Sequence, residues 1–468
     1  HRYKYPVCIP HAVLHHTTIP DQWFLDNQDE RPPFTIDQYS FTEWCIGSHY
    51  SSVRVKWVES CLVSLVFSDL TCEDNQNYVK FYKKSGYSAS DESFVIKDGN
   101  AIVYTSPTFE NDKLRTLEAC LPSSTNNQYI LEMKDSGNNR WAYNSYLEVV
   151  GVNGNTIFKS FMIELSLEVY PLSLYSPINK DDSWKYTADA SGDWTTVAFS
   201  DNAWTTVTVG DSCTTTATGT QYFRKSFTGV ANMAAIEMSL RYRYGVIAYI
   251  NGVEVYRDNM PEGAVTKDTT SQGSYSSYDY HGIIRPSTIA EAASVLAVEV
   301  HFNVASRVET IGFNGFLSFY AGLSSDNKCY VVPSTKLENS ERMDSAESAL
   351  DWTRSEYANT FTNSYMTISF DSSSLPAVNG FRQWPHTDTG NAMRGFDMAS
   401  ASQISGPFRS IFVTTNNRFT SSQWMQWNMI GTAPVRKYMK LTRDPSLTSN
   451  YRIYAFQWLV CNVPAPAT

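Results

Sequence analysis

Carboxylate and imidazole side chains in the middle of this sequence offer one arrangement that could do acid–base chemistry. Glu299 and His301 lie two positions apart in an alternating stretch, so both would point to the same side of a strand. A carboxylate beside an imidazole can transfer protons to and from a substrate. Asp201 and Glu254 are further acidic candidates in the same segment, without an obvious partner.

Two other groups could bind a metal ion. Asp181 and Asp182 are adjacent carboxylates that could help to hold a structural calcium ion in a loop. His11 and His15 would share one face of a helix, but Pro10 disfavours a helix there. A structural or solvent-exposed role is the simpler interpretation for all four side chains, and no metal site is predicted.

Sequence motifs that identify common enzymes are missing. The chain has no Gly-x-Ser-x-Gly, no His-Glu-x-x-His and no Gly-x-x-x-x-Gly-Lys motif, and no alternation of strands and helices that would build a barrel. We therefore expect a protein that is not an enzyme. A secreted hydrolase, whose acidic residues meet only in the folded chain, is kept as a third hypothesis.

Composition indicates an all-β, extracellular protein of several domains. Aromatic residues make up 14% and charged residues 18% of the 468 residues, a balance typical of strands and turns. The formal net charge of −10 argues against a nucleic-acid partner. No run of 18 apolar residues is present, so no transmembrane segment is predicted. The chain starts at His1 without an initiator Met, which fits a secreted product whose signal peptide has been removed.

Cysteine spacing supports an oxidising compartment. The eight cysteines contain no Cys-x-x-Cys pair, which disfavours zinc binding and thiol redox chemistry. An even number of cysteines in an acidic chain rich in Tyr, Ser and Thr favours disulfides and secretion to the cell surface. Cys61 or Cys72 is a candidate partner for Cys120.

The first part of the chain divides into an arm and a small β-domain. Residues 1–44 contain many large apolar side chains without regular alternation, and we interpret them as an extended N-terminal arm. Residues 45–170 alternate with strand period and resemble a small secreted β-sandwich domain. The acidic loop of such domains is replaced here by Asn138-Asn139-Arg140, so no calcium site is carried over to it.

The middle segment is organised around a predicted hairpin. Gly245 to Tyr256 alternates on both sides of Asn251-Gly252, a dipeptide that favours the tight turn between two antiparallel strands. Upstream, Trp184, Trp194 and Trp204 recur between polar turns, as large core anchors do in a β-sandwich.

These motifs resemble the galactose-binding-like β-sandwich, or jelly roll. The Asp-rich Trp opening, Tyr-Phe-Arg-Lys from Tyr222, the hairpin, Asn-Met-Pro from Asn259 and Ala-Val-Glu-Val-His ending at His301 follow the order of that family. The resemblance implies a domain over residues 171–325 that binds or packs and rarely catalyses. It also implies that the strand bearing Glu299 and His301 is structural.

The last segment, residues 326–468, is similar to a discoidin, or F5/8-type, sandwich with a short C-terminal tail. The resemblance implies a disulfide between Cys329 and Cys461, and loops at one end that present aromatic and basic residues to glycans or lipid heads. Trp384, His386 and Arg394 occupy a stretch rich in Gly and Asn that suits such a loop. A packed or merely exposed role for them is the alternative.

We therefore predict tandem β-sandwich domains and a function without catalysis. The first hypothesis is an extracellular structural protein that self-associates, through residues 1–44, into a surface filament, hair, sheath or coat. The alternative is a glycan-binding adhesin or lectin, or an accessory carbohydrate-binding protein. No cofactor is predicted, and a structural calcium ion is kept only as an alternative.

Overall fold

In the computed structural model, the regular secondary structure of the described residues is almost entirely β-strand, as the composition predicts. The structure describes residues 53–58, 62–67, 70–124, 127–142, 144–180, 182–208, 216–217, 219–290, 292–310, 312–323, 328–333, 335–350, 358–370, 373–385, 396–413, 425–428, 435–443 and 451–462. Predictions for residues 1–44, including the arm and the histidines His11 and His15, lie outside the described residues.

The chain divides into two compact units, His1–Asp74 and Asn75–Thr468. In the first unit, β1 (Val53–Val58) and β2 (Leu62–Phe67) form an antiparallel hairpin in which Val53 pairs with Phe67. Both strands have the bounds that the alternation in the sequence predicts.

The second unit begins with a sandwich of two four-stranded antiparallel sheets. One sheet has the order β6-β3-β8-β9 and the other β10-β7-β4-β5. Their strands are β3 (Gln76–Lys84), β4 (Glu92–Asp98), β5 (Ala101–Thr105), β6 (Leu114–Pro122), β7 (Gln128–Asp135), β8 (Tyr146–Val150), β9 (Thr156–Ser160) and β10 (Leu167–Ser173). In β7 every second residue is buried, and its Tyr129, Leu131 and Met133 enter the core between the sheets.

A second sandwich follows, with sheets of six and four strands in the orders β12-β11-β14-β19-β16-β17 and β21-β15-β18-β25. Its strands are β11 (Ser183–Thr187), β12 (Thr205–Thr208), β14 (Gln221–Thr228), β15 (Ala235–Tyr242), β16 (Gly245–Ile250), β17 (Val253–Asp258), β18 (Asp279–Pro286), β19 (Ala293–His301), β21 (Asn314–Tyr320) and β25 (Ser374–Pro376). The short strands β13 (Thr216–Ala217) and β20 (Glu309–Thr310) pair with each other, and a 3-10 turn covers Ser287–Ile289.

The Asn251-Gly252 hairpin is present as predicted and joins β16 to β17. Both turn residues have positive φ, 54° and 85°, the conformation that this dipeptide tolerates best. The core anchor Trp184 is 1% exposed and meets Phe313 edge to face. Trp194 and Trp204, predicted as anchors of the same kind, are instead partly exposed and contact each other at 6.3 Å between ring centroids.

The last segment contributes one nine-stranded sheet. Its path is β28-β27-β30-β24-β31-β26-β29, with β22 paired to β31 and β23 to β24. Its strands are β22 (Cys329–Val331), β23 (Thr335–Asp344), β24 (Ala358–Phe370), β26 (Gly380–Pro385), β27 (Phe396–Ala401), β28 (Arg409–Val413), β29 (Met425–Asn428), β30 (Tyr438–Arg443) and β31 (Tyr451–Cys461). A 3-10 turn covers Ala346–Ala349.

The two sandwiches and the last segment of the second unit are closely joined. Strand β25 belongs to the last segment but pairs in parallel with β18 of the middle sandwich. Tyr320 and Tyr330 stack at 4.2 Å, and Tyr330 donates a hydrogen bond to the carbonyl of Thr156 at 2.8 Å. Side chains of all three segments belong to one buried apolar cluster. We expect these segments to unfold together for this reason.

Candidate functional site: a cleft on the six-stranded sheet

An open cleft of ≈ 560 Å³ lies against the six-stranded sheet of the middle sandwich. Strand residues form its floor, and two loops form its walls. The lining residues are Ala190, Ser191, Gly192, Trp194, Thr195, Tyr222, Tyr249, Glu254, Arg257, Gly263, Ala264, Val265, Thr266, Lys267 and Glu299.

The strand register explains why these floor residues share one face of the sheet. Tyr222 on β14 lies opposite Glu299 on β19, and Tyr249 on β16 lies opposite Glu254 on β17. Directly opposite residues of antiparallel strands point to the same side of a sheet. Arg257 also reaches this side, since it pairs with Ile247, which in turn pairs with Glu299.

Glu299 is the central carboxylate of the floor, and a hydrogen bond from Tyr249 fixes one of its oxygens. The Tyr249 hydroxyl donates to its Oε1 at 2.7 Å, and His301 Nε2 lies 3.1 Å from its Oε2. Burial and the Glu299 carboxylate raise the pKa of the Tyr249 phenol, so Tyr249 stays a proton donor. The carboxylate is thus a positioned hydrogen-bond acceptor in the cleft.

His301 itself does not reach the cleft, since its side chain is fully buried. Its Nδ1 donates to the Thr269 carbonyl at 2.8 Å and lies 3.0 Å from the Thr220 hydroxyl. The two residues face the same side of β19, as their spacing predicts, but a buried ring cannot exchange protons with a substrate. The structural role implied by the family resemblance is the one that the geometry supports.

Arg257 and Glu254 form a fixed pair of opposite charges at the edge of the floor. The guanidinium binds the carboxylate through two bonds, from Nε to Oε1 at 2.7 Å and from Nη2 to Oε2 at 2.6 Å. A third bond, from Nη1 to the Pro261 carbonyl at 2.7 Å, ties the pair to a loop of the cleft wall. Such a two-point contact holds donors and acceptors in a defined orientation.

Trp194 supplies the aromatic surface of the opposite wall. Its indole is half-buried and meets the rings of Tyr222 and Tyr249 edge to face, at 5.0 and 5.8 Å between centroids. Tyr222 is 4% exposed, so Trp194 and Tyr249 provide the aromatic surface beside the Glu299 carboxylate. Aromatic side chains next to fixed polar groups are common in small-molecule sites.

Arg224 fixes the loop that carries Trp194. The guanidinium is 2% exposed and bonds to Asp201 Oδ2 at 3.0 Å. It also donates to the carbonyls of Trp194, Thr196 and Phe199. One buried side chain therefore fixes three carbonyls of the loop that carries the indole.

Replacing Arg224 with lysine is expected to lower the free energy of unfolding by about 2–3 kcal/mol, because an ammonium group cannot bond to an aspartate and three carbonyls at once. Chemical denaturation would measure the change. Arg436→Lys is the matched control at an exposed arginine, with an expected change within about 0.5 kcal/mol. Equal effects of the two substitutions would contradict the role given to Arg224.

The other candidates from the sequence lie elsewhere. Asp182 forms an ion pair with Lys225, at 3.3 Å between Oδ2 and Nζ, and its Oδ2 also accepts a hydrogen bond from the backbone amide of Asn179. Asp181 lies outside the described residues. Asp201 binds Arg224. Across the part of the chain that the structure describes, no group of three His, Cys, Asp or Glu side chains could hold a metal ion.

Trp384 is placed in β26 and not in an open loop. Its side chain is 7% exposed and packs with Phe161, Ile163 and Ala455, between the first sandwich and the last segment. A buried indole has little surface to offer a ligand. His386 and Arg394 lie outside the described residues, and a ligand site in this stretch stays a prediction.

The cysteines include the predicted bridge between Cys329 and Cys461. It joins β22 and β31, which come first and last in the chain among the strands of the nine-stranded sheet and in which these two residues are directly paired. Cys72 and Cys120 are each disulfide-bonded, and Cys61 lies outside the described residues. None of the described helices is long and apolar enough to cross a membrane.

Comparison with known proteins gives structural likenesses only. No protein-family model matches the sequence, and no curated protein matches it. A family 32 carbohydrate-binding module of Clostridium perfringens NanJ, solved with galactose, is 11% identical with a TM-score of 0.23 over 28% of this chain and 98% of the module.

A fucolectin from striped bass (Morone saxatilis) serum is 10% identical with a TM-score of 0.26, over 60% of this chain and 96% of the lectin. For a Bacteroides uniformis β-glucuronidase the identity is 12% and the TM-score 0.26, over 60% of this chain but 31% of the enzyme. The sequence resemblance predicted a galactose-binding-like sandwich in the middle of the chain, and the structure has a two-sheet β-sandwich there. Likenesses as partial as these do not assign a function.

The sequence pointed to two floor residues, Glu254 and Glu299, but not to the cleft. The hairpin turn at Asn251-Gly252 sets the register that places Glu254 beside Tyr249, and this signal was available. Trp194 was recognised only as a core anchor. The contribution of Gly263–Lys267 depends on how that loop folds back, which no local pattern indicates.

Proposed function

We propose that this chain is a carbohydrate-binding protein and that the cleft on the six-stranded sheet binds a neutral saccharide. The observation that carries the proposal is the half-buried Trp194 indole, which faces the cleft together with the fixed Glu299 carboxylate and the Glu254–Arg257 pair. No reaction is proposed, because Glu254 is bound to a guanidinium and Glu299 accepts a hydrogen bond from a phenol and lies beside a buried imidazole.

A saccharide combines the two properties that the cleft offers. One face of a sugar ring carries C–H groups and packs against an aromatic surface such as the Trp194 indole. Its hydroxyls both donate and accept, and so fit a carboxylate and a guanidinium held side by side. The volume of ≈ 560 Å³ lies in the range of small-molecule sites and is enough for one or two sugar units.

The charges of the cleft favour a neutral ligand. The carboxylates of Glu254 and Glu299 disfavour an anion, and the cationic groups of Arg257 and Lys267 disfavour a cation. A ligand without net charge avoids both penalties and still uses the polar groups. This distinguishes the proposal from binding of acidic peptides or of nucleic acid.

An extracellular location is part of the proposal. The disulfide between Cys329 and Cys461 is of the kind that persists in oxidising compartments, where glycans of cell surfaces are accessible. The structural-filament hypothesis depends on residues 1–44, outside the described residues, and stays a prediction. The cleft supports the glycan-binding alternative.

Substituting Trp194 with alanine is expected to weaken saccharide binding by tenfold or more, about 1.4 kcal/mol or above, because the stacking surface is lost. A glycan array would identify the neutral saccharide that binds the intact chain, and calorimetric titration would compare the two proteins. Tyr87→Ala is the matched control, since it removes an aromatic ring that is 63% exposed in the first sandwich.

A second substitution tests the polar half of the cleft. Glu299→Gln keeps the shape of the side chain but removes the charge that Tyr249 and a sugar hydroxyl share, so weaker binding at unchanged stability is expected. Saccharide binding that survives both Trp194→Ala and Glu299→Gln would show that the ligand site lies elsewhere.

A further inference from the structure

A second group of polar side chains in the middle sandwich is centred on Glu309 and is separate from the cleft lining. Glu309 lies in β20, Arg307 precedes it, and Arg243 and Tyr244 lie between β15 and β16. Tyr278 precedes β18. We call these five side chains the Glu309 cluster.

The Glu309 carboxylate accepts four hydrogen bonds. The hydroxyls of Tyr244 and Tyr278 donate to it at 2.5 and 3.1 Å. Nη1 of Arg243 and Nη1 of Arg307 donate to it at 3.4 and 3.3 Å, one to each carboxylate oxygen. Although burial opposes it, hydrogen bonds from the two tyrosines lower the pKa of this carboxyl, which therefore stays ionised. Four bonds fill the lone-pair positions of one carboxylate.

The two guanidiniums keep donors that Glu309 cannot use. Nε of Arg243 donates to the Tyr275 carbonyl at 3.3 Å, and Nε of Arg307 to Asn303 Oδ1 at 3.0 Å. Among the described residues, neither Nη2 group has an acceptor. Both side chains are about one third exposed, 36% and 35%. Two positive charges and one negative charge leave an excess of one positive charge at the surface.

The arginines are also held in position, which distinguishes them from ordinary surface residues. Their Cζ atoms lie 5.3 and 5.1 Å from the centroid of the Tyr244 ring, and both guanidiniums share one carboxylate. Their conformations are therefore restricted before any ligand arrives, which reduces the entropy lost on binding. Paired guanidiniums with unused N–H groups match the oxygens of a sulfate or carboxylate.

We propose that the Glu309 cluster is a binding site for the oxyanion of an acidic saccharide, a sulfate ester or a uronate carboxylate, held between Nη2 of Arg243 and Nη2 of Arg307. A saccharide carrying one such group suits a chain whose formal net charge is −10 better than a highly acidic peptide. Long-range repulsion grows with the charge of the ligand, whereas contact with the arginines is short-range.

Calorimetric titration at low ionic strength tests the site, with galactose 6-sulfate and glucuronic acid as separate probes. We expect one or both to bind the intact chain at least tenfold more tightly than the Arg243→Gln/Arg307→Gln variant. The probe that binds identifies sulfate or carboxylate as the ligand group. Arg436→Gln removes one exposed positive charge elsewhere and is expected to leave the affinity unchanged.

Thermal unfolding of the double variant shows whether it folds, and its binding of the neutral saccharide identified for the cleft shows whether the sandwich is intact. Absence of saturable binding of both probes to the intact chain would overturn the proposal. Binding that is equally strong in the double variant would overturn it too. Neither result would bear on the cleft, whose test uses different residues and a neutral ligand.

Discussion

Replacing Lys83 with methionine is expected to lower the free energy of unfolding by about 3–5 kcal/mol, the cost of leaving a buried charge without its partner. Lys83 Nζ lies 2.5 Å from Glu92 Oε2, and both side chains are fully buried. The ammonium also donates to the Lys84 carbonyl and lies 4.0 Å from the centroid of the Trp141 ring.

A double variant separates the charge from the packing. Glu92 Oε1 accepts from the Ser145 hydroxyl and the Ala142 amide, bonds that a glutamine oxygen can keep. Lys83→Met with Glu92→Gln is therefore expected to recover about 2 kcal/mol of the loss, because no charge is then left buried.

Urea denaturation followed by tryptophan fluorescence would measure both changes. Lys97→Met is the matched control, since the pair of Lys97 with Glu132 is partly exposed, at 24% and 13%. Its expected cost is about 0–1 kcal/mol. If Lys83→Met costs no more than Lys97→Met, the buried pair does not hold the first sandwich together.

Removal of the Cys329–Cys461 disulfide by alanine substitution of both residues is expected to cost about 4–5 kcal/mol, because the bridge closes a loop with a sequence separation of 132 residues. The bridge restricts the unfolded chain, and a longer loop gains more from this restriction. Both half-cystines are buried, and alanine is an apolar replacement of smaller size at each position.

Unfolding of the unmodified chain with and without reductant tests this bridge together with the disulfides of Cys72 and Cys120. The loss of stability under reductant should therefore be at least as large as in the double alanine variant. A reduced protein that unfolds at the same denaturant concentration as the oxidised one would show that the strand pairing of β22 with β31 suffices without the bridge.

The fold could be predicted from the sequence wherever the signal is local. Val53–Val58 and Leu62–Phe67 alternate and are strands with those bounds, and Asn251-Gly252 is the predicted hairpin turn. The parallel pairing of β25 with β18 could not be predicted, because it joins residues about 90 positions apart through three register pairs.

The candidate sites depended on contacts that periodicity does not encode. Lys83 continues the inward alternation of Val79 and Phe81 in β3. Nothing in the sequence shows that the Glu92 carboxylate is also buried and forms an ion pair with the Lys83 ammonium. Trp184 and Trp194 belong to the same series of tryptophans in the sequence, yet Trp184 is buried and Trp194 lines the cleft. The difference arises because Arg224 binds the loop that carries Trp194. Side-chain exposure in loops is set by such long-range bonds.

The most direct test of saccharide binding in the cleft is a crystal structure of the chain with the neutral saccharide selected on a glycan array. We predict a sugar ring packed against Trp194, with hydroxyls bonded to the Glu299 carboxylate and to the Glu254–Arg257 pair. A saccharide bound at another surface, with the cleft on the six-stranded sheet left empty, would contradict the proposal.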